Sequence, residues 1–279
     1  MAKYKHFLGL GIAGNFALHL DQAGEAEEFK DIITQDEAAP KGMFPFYLPN
    51  NPQTDAKEIL KTYPLSSDTI HLAKGEHSIQ AEPEVALICE LEYTVGRLSK
   101  ITPSYFGAYN DCSIRVAGAA KISDKKNWGA DSKGFSNTLI KIDKFEKGGI
   151  MDNYSICSFL RRDGEFHPYG EDVELTGYSY FYSTLLDWIQ NQIITQEDFG
   201  PLEAIETYIE QCDYPQEAII SIGATRYTPY GEKTFLQAND EVIIALYNHN
   251  EYSSSEIMQH LQQGEYTLPN MSVLAQKVY

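Results

Sequence analysis

The sequence predicts an α+β, β-rich fold, a mixed β-roll or sandwich with a few peripheral helices. Three observations lead there. Short strand candidates recur along the chain and do not alternate with helices, so a βαβ array is disfavoured. A Pro-rich stretch with Pro40, Pro45, Pro49 and Pro52 can be neither regular helix nor central strand. Only one long segment, Tyr180 to Ile194, has a clear helical period, with Phe181, Leu185, Trp188 and Ile189 on one face.

Taken in order, residues 4–12 read as a short strand and Asn15 to Phe29 as a turn followed by a helix. From Ile70 to Tyr93 the pattern is strand-like: Ser78 to Ala81 alternates and Glu84 to Leu91 is almost continuously apolar. Ile101 to Tyr109 is expected to carry a short helix after Pro103. Further strands are expected at Thr138–Ile142, Ser155–Leu160, Ala218–Ile222 and Glu241–Tyr247, with a second helix at Glu203 to Gln211. His167, flanked by Pro and Gly, reads as a turn residue without a role. The length prior of about 150 residues per domain allows one large or two small domains. With no repeat or linker, the expectation is a single catalytic domain over 1–279. Residues 1–65 would hold the first strand, a lid-like helix and the Pro-rich loop. Residues 66–279 would form the β-roll core, with a helical insertion near 180–215.

Charge excludes several functions. With 22 Lys+Arg and 40 Asp+Glu the formal charge is 22 − 40 = −18, and such a surface repels phosphate backbones and anionic lipid. No nucleic-acid partner and no membrane partner is expected. No run reaches the roughly 18–20 apolar residues of a membrane span. The start, Lys3 and Lys5 before Phe7 to Ala13, imitates a signal peptide. Asn15, His19 and Asp21 break the apolar run, and no cleavage site follows. Cys89, Cys112, Cys157 and Cys212 are too dispersed for a C-x-x-C pair, which fits packed thiols in a reducing cytoplasm.

Two motifs compete for the function. Gly9-Leu10-Gly11-Ile12-Ala13-Gly14 is a literal G-x-G-x-x-G, but the second parallel strand of a dinucleotide fold is missing, so a tight strand-to-helix turn is the better reading. Glu82-Pro83-Glu84 opens the apolar strand, and residues i and i+2 of a strand project from one face. An isolated E-x-E at a strand end is usually a solvated rim. Asp111, about 25 residues on, supplies a third oxygen ligand from a second segment, a set that suits Mg²⁺ or Mn²⁺.

At these residues the chain resembles the fumarylacetoacetate hydrolase superfamily. The E-x-E pair matches Glu82 and Glu84, the following Asp and the Arg four positions later match Asp111 and Arg115, and a Trp and Lys match Trp128 and Lys133. Gly9-Leu10-Gly11 with Asn15-Phe16-Ala17-Leu18-His19 is similar to the family's G-L-N-Y-x-x-H, and Arg162-Asp163-Gly164-Glu165 to its N-G-E turn. Phe235 to Val242 resembles its F-L-x-x-G-D-x-V.

The resemblance implies a C-terminal-domain-type β-roll, a homodimer, and a divalent ion (Mg²⁺, or Mn²⁺ or Ca²⁺) on Glu82, Glu84 and Asp111. It implies a small oxo-acid or 1,3-dioxo substrate and enolate chemistry: decarboxylation, tautomerisation or carbon–carbon bond hydrolysis. Lys133 would stabilise the developing charge and His19, on a mobile lid, would move protons. Arg115 would either bind the substrate carboxylate or brace Asp111, and Thr225 would bind substrate.

Departures temper the implied chemistry. The family's lid Glu, partner of the His, is Gln22 here, and its T-G-T-P loop appears as Ile222-Gly223-Ala224-Thr225. Decarboxylation or tautomerisation is therefore favoured over hydrolysis. A binding protein that keeps the metal without turnover is the alternative on the same scaffold, and a nucleotide-dependent oxidoreductase resting on Gly9 to Gly14 is the third. Most of the acidic excess, Glu25 to Glu28 included, reads as a solvated shell.

Overall fold

A computed structural model describes residues 1–34, 36–50, 57–75, 78–116 and 118–279; Pro52 of the Pro-rich stretch lies outside them. The strands are β1 (Leu8–Ala13), β2 (Gly42–Tyr47), β3 (Leu65–Ser66), β4 (Thr69–Ile70), β5 (Ile79–Gln80), β6 (Pro83–Thr94), β7 (Arg97–Asn110) and β8 (Ser113–Ile114). They continue with β9 (Lys133–Phe135), β10 (Ile140–Lys141), β11 (Tyr154–Arg162), β12 (Glu165–Glu174), β13 (Glu217–Ser221), β14 (Glu241–Asn248) and β15 (Met271–Val278). The α-helices are α1 (His19–Gln22), α2 (Tyr182–Thr195), α3 (Ile205–Gln211) and α4 (Ser254–Gln262). The β-rich α+β class expected from the sequence is the one observed.

A mixed sheet runs β2-β1-β13-β6-β7-β9-β3, with β10 also on β7. A second sheet runs β12-β11-β14-β15-β4. Leu87 and Phe106 of the first and Ile156, Ile244 and Leu274 of the second belong to one buried apolar cluster. Burial of this kind is the main favourable term in folding. The long β6–β7 hairpin is the spine of the first sheet, and its open end, where Pro83 pairs with Asn110, is where the acidic residues sit. In the second sheet β11 turns into β12 through Asp163 and Gly164, both at positive φ (53° and 85°). Such a two-residue turn matches the twist of the flanking strands.

Several expectations are corrected. Ile101 to Tyr109 is not a helix but part of β7. Pro103 lies opposite Cys89 at the point where the β6–β7 register shifts, and a bulge is a position at which a strand tolerates proline. The helix expected across Asn15 to Phe29 contracts to α1 and a 3₁₀ turn at Ala26–Phe29. The first strand begins at Leu8 rather than residue 4, and His167 lies on β12 opposite Leu160 instead of in a turn. The Pro-rich stretch contains β2, at the edge of its sheet.

The glycine motif is explained by packing. β1 lies parallel to β13 and antiparallel to β2. A Cβ at Gly9 would come within 2.4 Å of the Phe46 ring, and one at Gly11 within 2.3 Å of the Phe44 ring. The glycines admit two aromatic rings where a dinucleotide fold would admit a pyrophosphate.

Candidate active site

The local fold brings Asp111 to the neighbouring pair Glu82 and Glu84. Glu82 precedes β6 and Glu84 lies within it, while Asp111 directly follows β7. The Asp111 N–H donates to the Glu82 carbonyl (3.0 Å), and the Glu82 N–H donates to the Asn110 side chain (3.1 Å). Glu82, Glu84 and Asp111 thus present three carboxylates, all buried, with one oxygen of each within 4.8 Å of the others. They are the one such group among the described residues.

Cations crowd this group. Lys133, at the start of β9, donates to Asp111 Oδ1 (2.6 Å) and is completely buried. Arg115 NH1 contacts both Glu82 Oε1 (2.7 Å) and Glu25 Oε1 (2.8 Å). Its Nε and NH2 donate to the Gln80 side chain and the Tyr227 hydroxyl. Arg115 therefore braces Glu82 and Glu25, and every arm of its guanidinium has an internal partner. Lys126 was not singled out in the sequence. Its Nζ donates to Glu82 Oε2 (2.7 Å), lies 2.6 Å from Asp111 Oδ2, and sits over the Phe44 ring.

Glu25 is a correction to the solvated shell: it is buried, 7 % exposed, and ties Arg115 to Lys125 (2.6 Å). Lys125 also reaches Glu28. No periodicity could reveal these partners, because they come from a 3₁₀ turn and a loop. The one available signal was the adjacent pair Lys125-Lys126 in a chain poor in bases.

Charge placement sets protonation. The neighbouring ammonium of Lys126 and guanidinium of Arg115 hold the Glu82 carboxyl well below the usual carboxylate range, against the cost of its burial. Burial, with the charges of Asp111 and Glu82, pushes Glu84 well above that range. Its Oε2 accepts the Gly223 N–H at 3.2 Å. Glu25, Glu28, Glu82 and Asp111 thus face Arg115, Lys125, Lys126 and Lys133, four acidic side chains paired with four basic ones.

His19 closes the site from α1. Its Nδ1 donates to the Thr225 carbonyl (2.9 Å), so the neutral ring carries its lone pair on Nε2. Burial lowers its pKa to about 4, with Arg115 and Lys126 adding to the effect and Glu82 and Glu25 opposing it. Thr225 is itself buried and donates through Oγ1 to the Pro83 carbonyl (3.3 Å), so its visible task is to seat the histidine. Gln22 clasps the next turn: its amide donates to the Tyr227 carbonyl (3.1 Å) and accepts from the Tyr227 N–H (2.9 Å). A glutamate could accept but not donate there. The enclosed space among His19, Glu82, Glu84 and Lys126 measures only about 10 Å³.

The fold is shared with solved structures of the fumarylacetoacetate hydrolase architecture. Among solved structures, Cg1458 with inhibitor is 16% identical with TM-score 0.54, covering 97% of this chain and 76% of that one. A protein of Yersinia pestis CO92 assigned to the fumarylacetoacetate hydrolase family is 13% identical with TM-score 0.52, covering 98% and 93%. A 2-keto-3-deoxyarabinonate dehydratase is 12% identical with TM-score 0.50, covering 98% and 73%. No curated protein matches the chain. Residues 25–278 match the profile described as "Family of unknown function (DUF5718)", and the chain belongs to that family.

The three carboxylates are of the right kind and spacing for a divalent ion, and Glu82 Oε1 and Asp111 Oδ2 make no aligned hydrogen bond. Lys126 Nζ nevertheless stands within ion-pair distance of two of the three. With Lys126 in that position the residues do not fit an additional divalent ion. Among the described residues no helix is long and apolar enough to cross a membrane.

Proposed function

We propose that the chain is an enzyme acting on a small oxo-acid or 1,3-dioxo compound through an enolate, by decarboxylation or tautomerisation in preference to carbon–carbon bond hydrolysis. The observation that carries this reading is a neutral, fixed histidine facing the same small space as a buried ammonium and three carboxyls. For tautomerisation, His19 Nε2 takes a proton from the carbon beside the carbonyl, the C–H electron pair becomes a carbon–carbon π bond as the carbonyl π pair moves onto oxygen, and the proton returns at another atom of the enolate. Lys126 and Lys133 offset the developing negative charge, as fixed donors do at an oxyanion. Arg115 and Thr225 act through Glu82 and His19 as positioning residues. Gln22, spent on the backbone of Tyr227, activates no water.

Substrate access requires α1 to lift. Its hydrogen bonds are those of His19 and Gln22, with Asn15 at its approach donating to Ile222 and Tyr180 and accepting from the Tyr180 N–H, while Leu20 packs against the cluster of Phe29 and Phe44. Residues 1–279 act as one catalytic unit in this proposal, within a cytoplasmic homodimer. Glu82, Glu84 and Asp111, expected from the sequence to hold Mg²⁺ (or Mn²⁺ or Ca²⁺), serve in this proposal as carboxyls, two of them paired with Lys126, and no step above depends on a metal. Retention of the scaffold for small-molecule binding without turnover is a second reading, favoured by how fully Glu82 and Asp111 are already paired.

The test is turnover of an oxo-acid panel (oxaloacetate and acylpyruvates first) by wild type and His19→Gln. We expect a fall of about 10²-fold or more in kcat for the variant. Absence of any turnover by wild type would sink the enzyme reading in favour of the binding protein.

A further inference from the structure

We propose that the ammonium of Lys126 is the resident cation of the three-carboxylate site and takes the place of a divalent ion. This deepens the reading of the same site given above. Lys126 Nζ is 2.7 Å from Glu82 Oε2 and 2.6 Å from Asp111 Oδ2, so it bridges the two strands that carry the acids. Each of those acids has a second cation as well, Arg115 NH1 on Glu82 Oε1 at 2.7 Å and Lys133 Nζ on Asp111 Oδ1 at 2.6 Å. A further two positive charges at the same point would meet three fixed cations within a few ångströms in a dry interior, where like charges repel strongly.

Lys126 is built into this position. It follows the 3₁₀ turn Ile122–Lys125, whose first N–H donates to the Pro201 carbonyl and whose Asp124 pairs with Lys57. On the other flank Asn127 donates to the carbonyls of Phe46 (2.8 Å) and Thr62 (3.0 Å). The side chain is 4% exposed and runs beneath the Phe44 ring. Both ends of the short segment are therefore tied down, and the ammonium is aimed at the acids. An ammonium offers three N–H donors and one charge. It can neutralise carboxylates and meet one substrate oxygen, but it cannot chelate two as an open-sided divalent ion does.

The experiment titrates chelator-stripped protein with MnCl₂, followed by calorimetry, the electron paramagnetic resonance signal of free Mn²⁺, and thermal melting. Wild type is expected to show no saturable site and no shift in Tm. Lys126→Ala opens the space and is expected to bind Mn²⁺ at least about tenfold tighter, a difference of about 1.4 kcal/mol, with a Tm that rises with Mn²⁺. One-to-one saturable binding by wild type overturns the proposal, and that arm needs no variant to fold. Turnover assays separate this from the proposed function. Metal-stimulated turnover by wild type would overturn the Lys126 proposal while upholding oxo-acid chemistry. A Mn²⁺ site gained by Lys126→Ala, with wild type inert on every oxo-acid, would do the reverse.

Discussion

Two strand ends of this molecule carry acid–base pairs, and they differ in nearly every physical respect. At the rim of the second sheet, Arg161 of β11 pairs with Glu241 of β14 at 2.8 Å, each about a quarter exposed. At the open end of the first sheet, Glu82, Asp111, Lys126 and Lys133 are at most 4% exposed. The rim pair keeps most of its hydration, so making or breaking it matters little. The buried cluster has given up hydration that its own attractions only partly restore, and well-packed apolar residues in such a place are often as stable or more so. A cluster of this kind at the mouth of a β-hairpin, beside a buried histidine, is why we place function there.

The largest expected effect comes from taking one member out of the buried cluster. Asp111→Ala leaves Lys126 and Lys133 each short of a buried partner, and we expect a loss of about 3–5 kcal/mol in a urea melt. A loss below about 1 kcal/mol would show that the cluster is solvated in solution and that the contrast with the rim is false.

The next effect is set by pH. His19 is lowered from 6.5 to about 4 by burial, so between these values the unfolded chain binds the proton and the folded one does not. Its contribution, about 3 kcal/mol, is fully present above pH 6.5 and is lost as pH falls toward 4. Glu25, Glu82, Arg115 and Lys126 face the ring and supply the charges that oppose or add to the shift. His19→Gln should flatten the stability curve of wild type over that window. An unchanged slope would place His19 in water.

Gln22→Glu probes the hinge between the buried site and solvent. The carboxylate cannot donate to the Tyr227 carbonyl, which loses its partner, and we expect about 1–2 kcal/mol less protection in α1. Hydrogen exchange of residues 19–25 measures this, and equal protection would mean that the clasp does not hold the lid.

What could be read from the sequence divides along the same line. The strands of both sheets were legible where apolar residues ran in short blocks, as at Glu84 to Leu91 or Glu241 to Tyr247, because period and burial are local properties. The three acids were legible because two lie on one face of a strand and the third recurs at a familiar distance. Of the groups around those acids, Arg115 and Lys133 were legible through the family resemblance alone, and Lys126 and Glu25 were not. Lys126 and Glu25 approach from irregular segments, 44 and 57 residues from Glu82 along the chain, and only the folded hairpin brings them together. β7 differs from its expectation for a related reason: Pro103 signals a break locally, and only the pairing with β6 shows that it falls where the register shifts. α4 also passed unremarked, although Ser253 and Glu256 form a capping box across the start of the helix.

The smallest effect belongs to the rim. Arg161→Ala removes the Glu241 pair and two donations to the carbonyls of Leu261 and Gln262 at the end of α4. The guanidinium also lies 5.0 Å from the Phe166 ring centroid. Water can replace the lost donors at an exposed edge, so we expect about 1 kcal/mol or less. Ionic strength sharpens the contrast. Between low salt and about 1 M NaCl, where screening acts within about 3 Å, the cost of Arg161→Ala should shrink toward its packing component. That of Asp111→Ala should stay almost constant, since ions do not enter the buried cluster. Equal salt dependence of the two variants would mean that both strand ends are wet, and the first sheet would lose the dry interior on which the argument for its lysine depends.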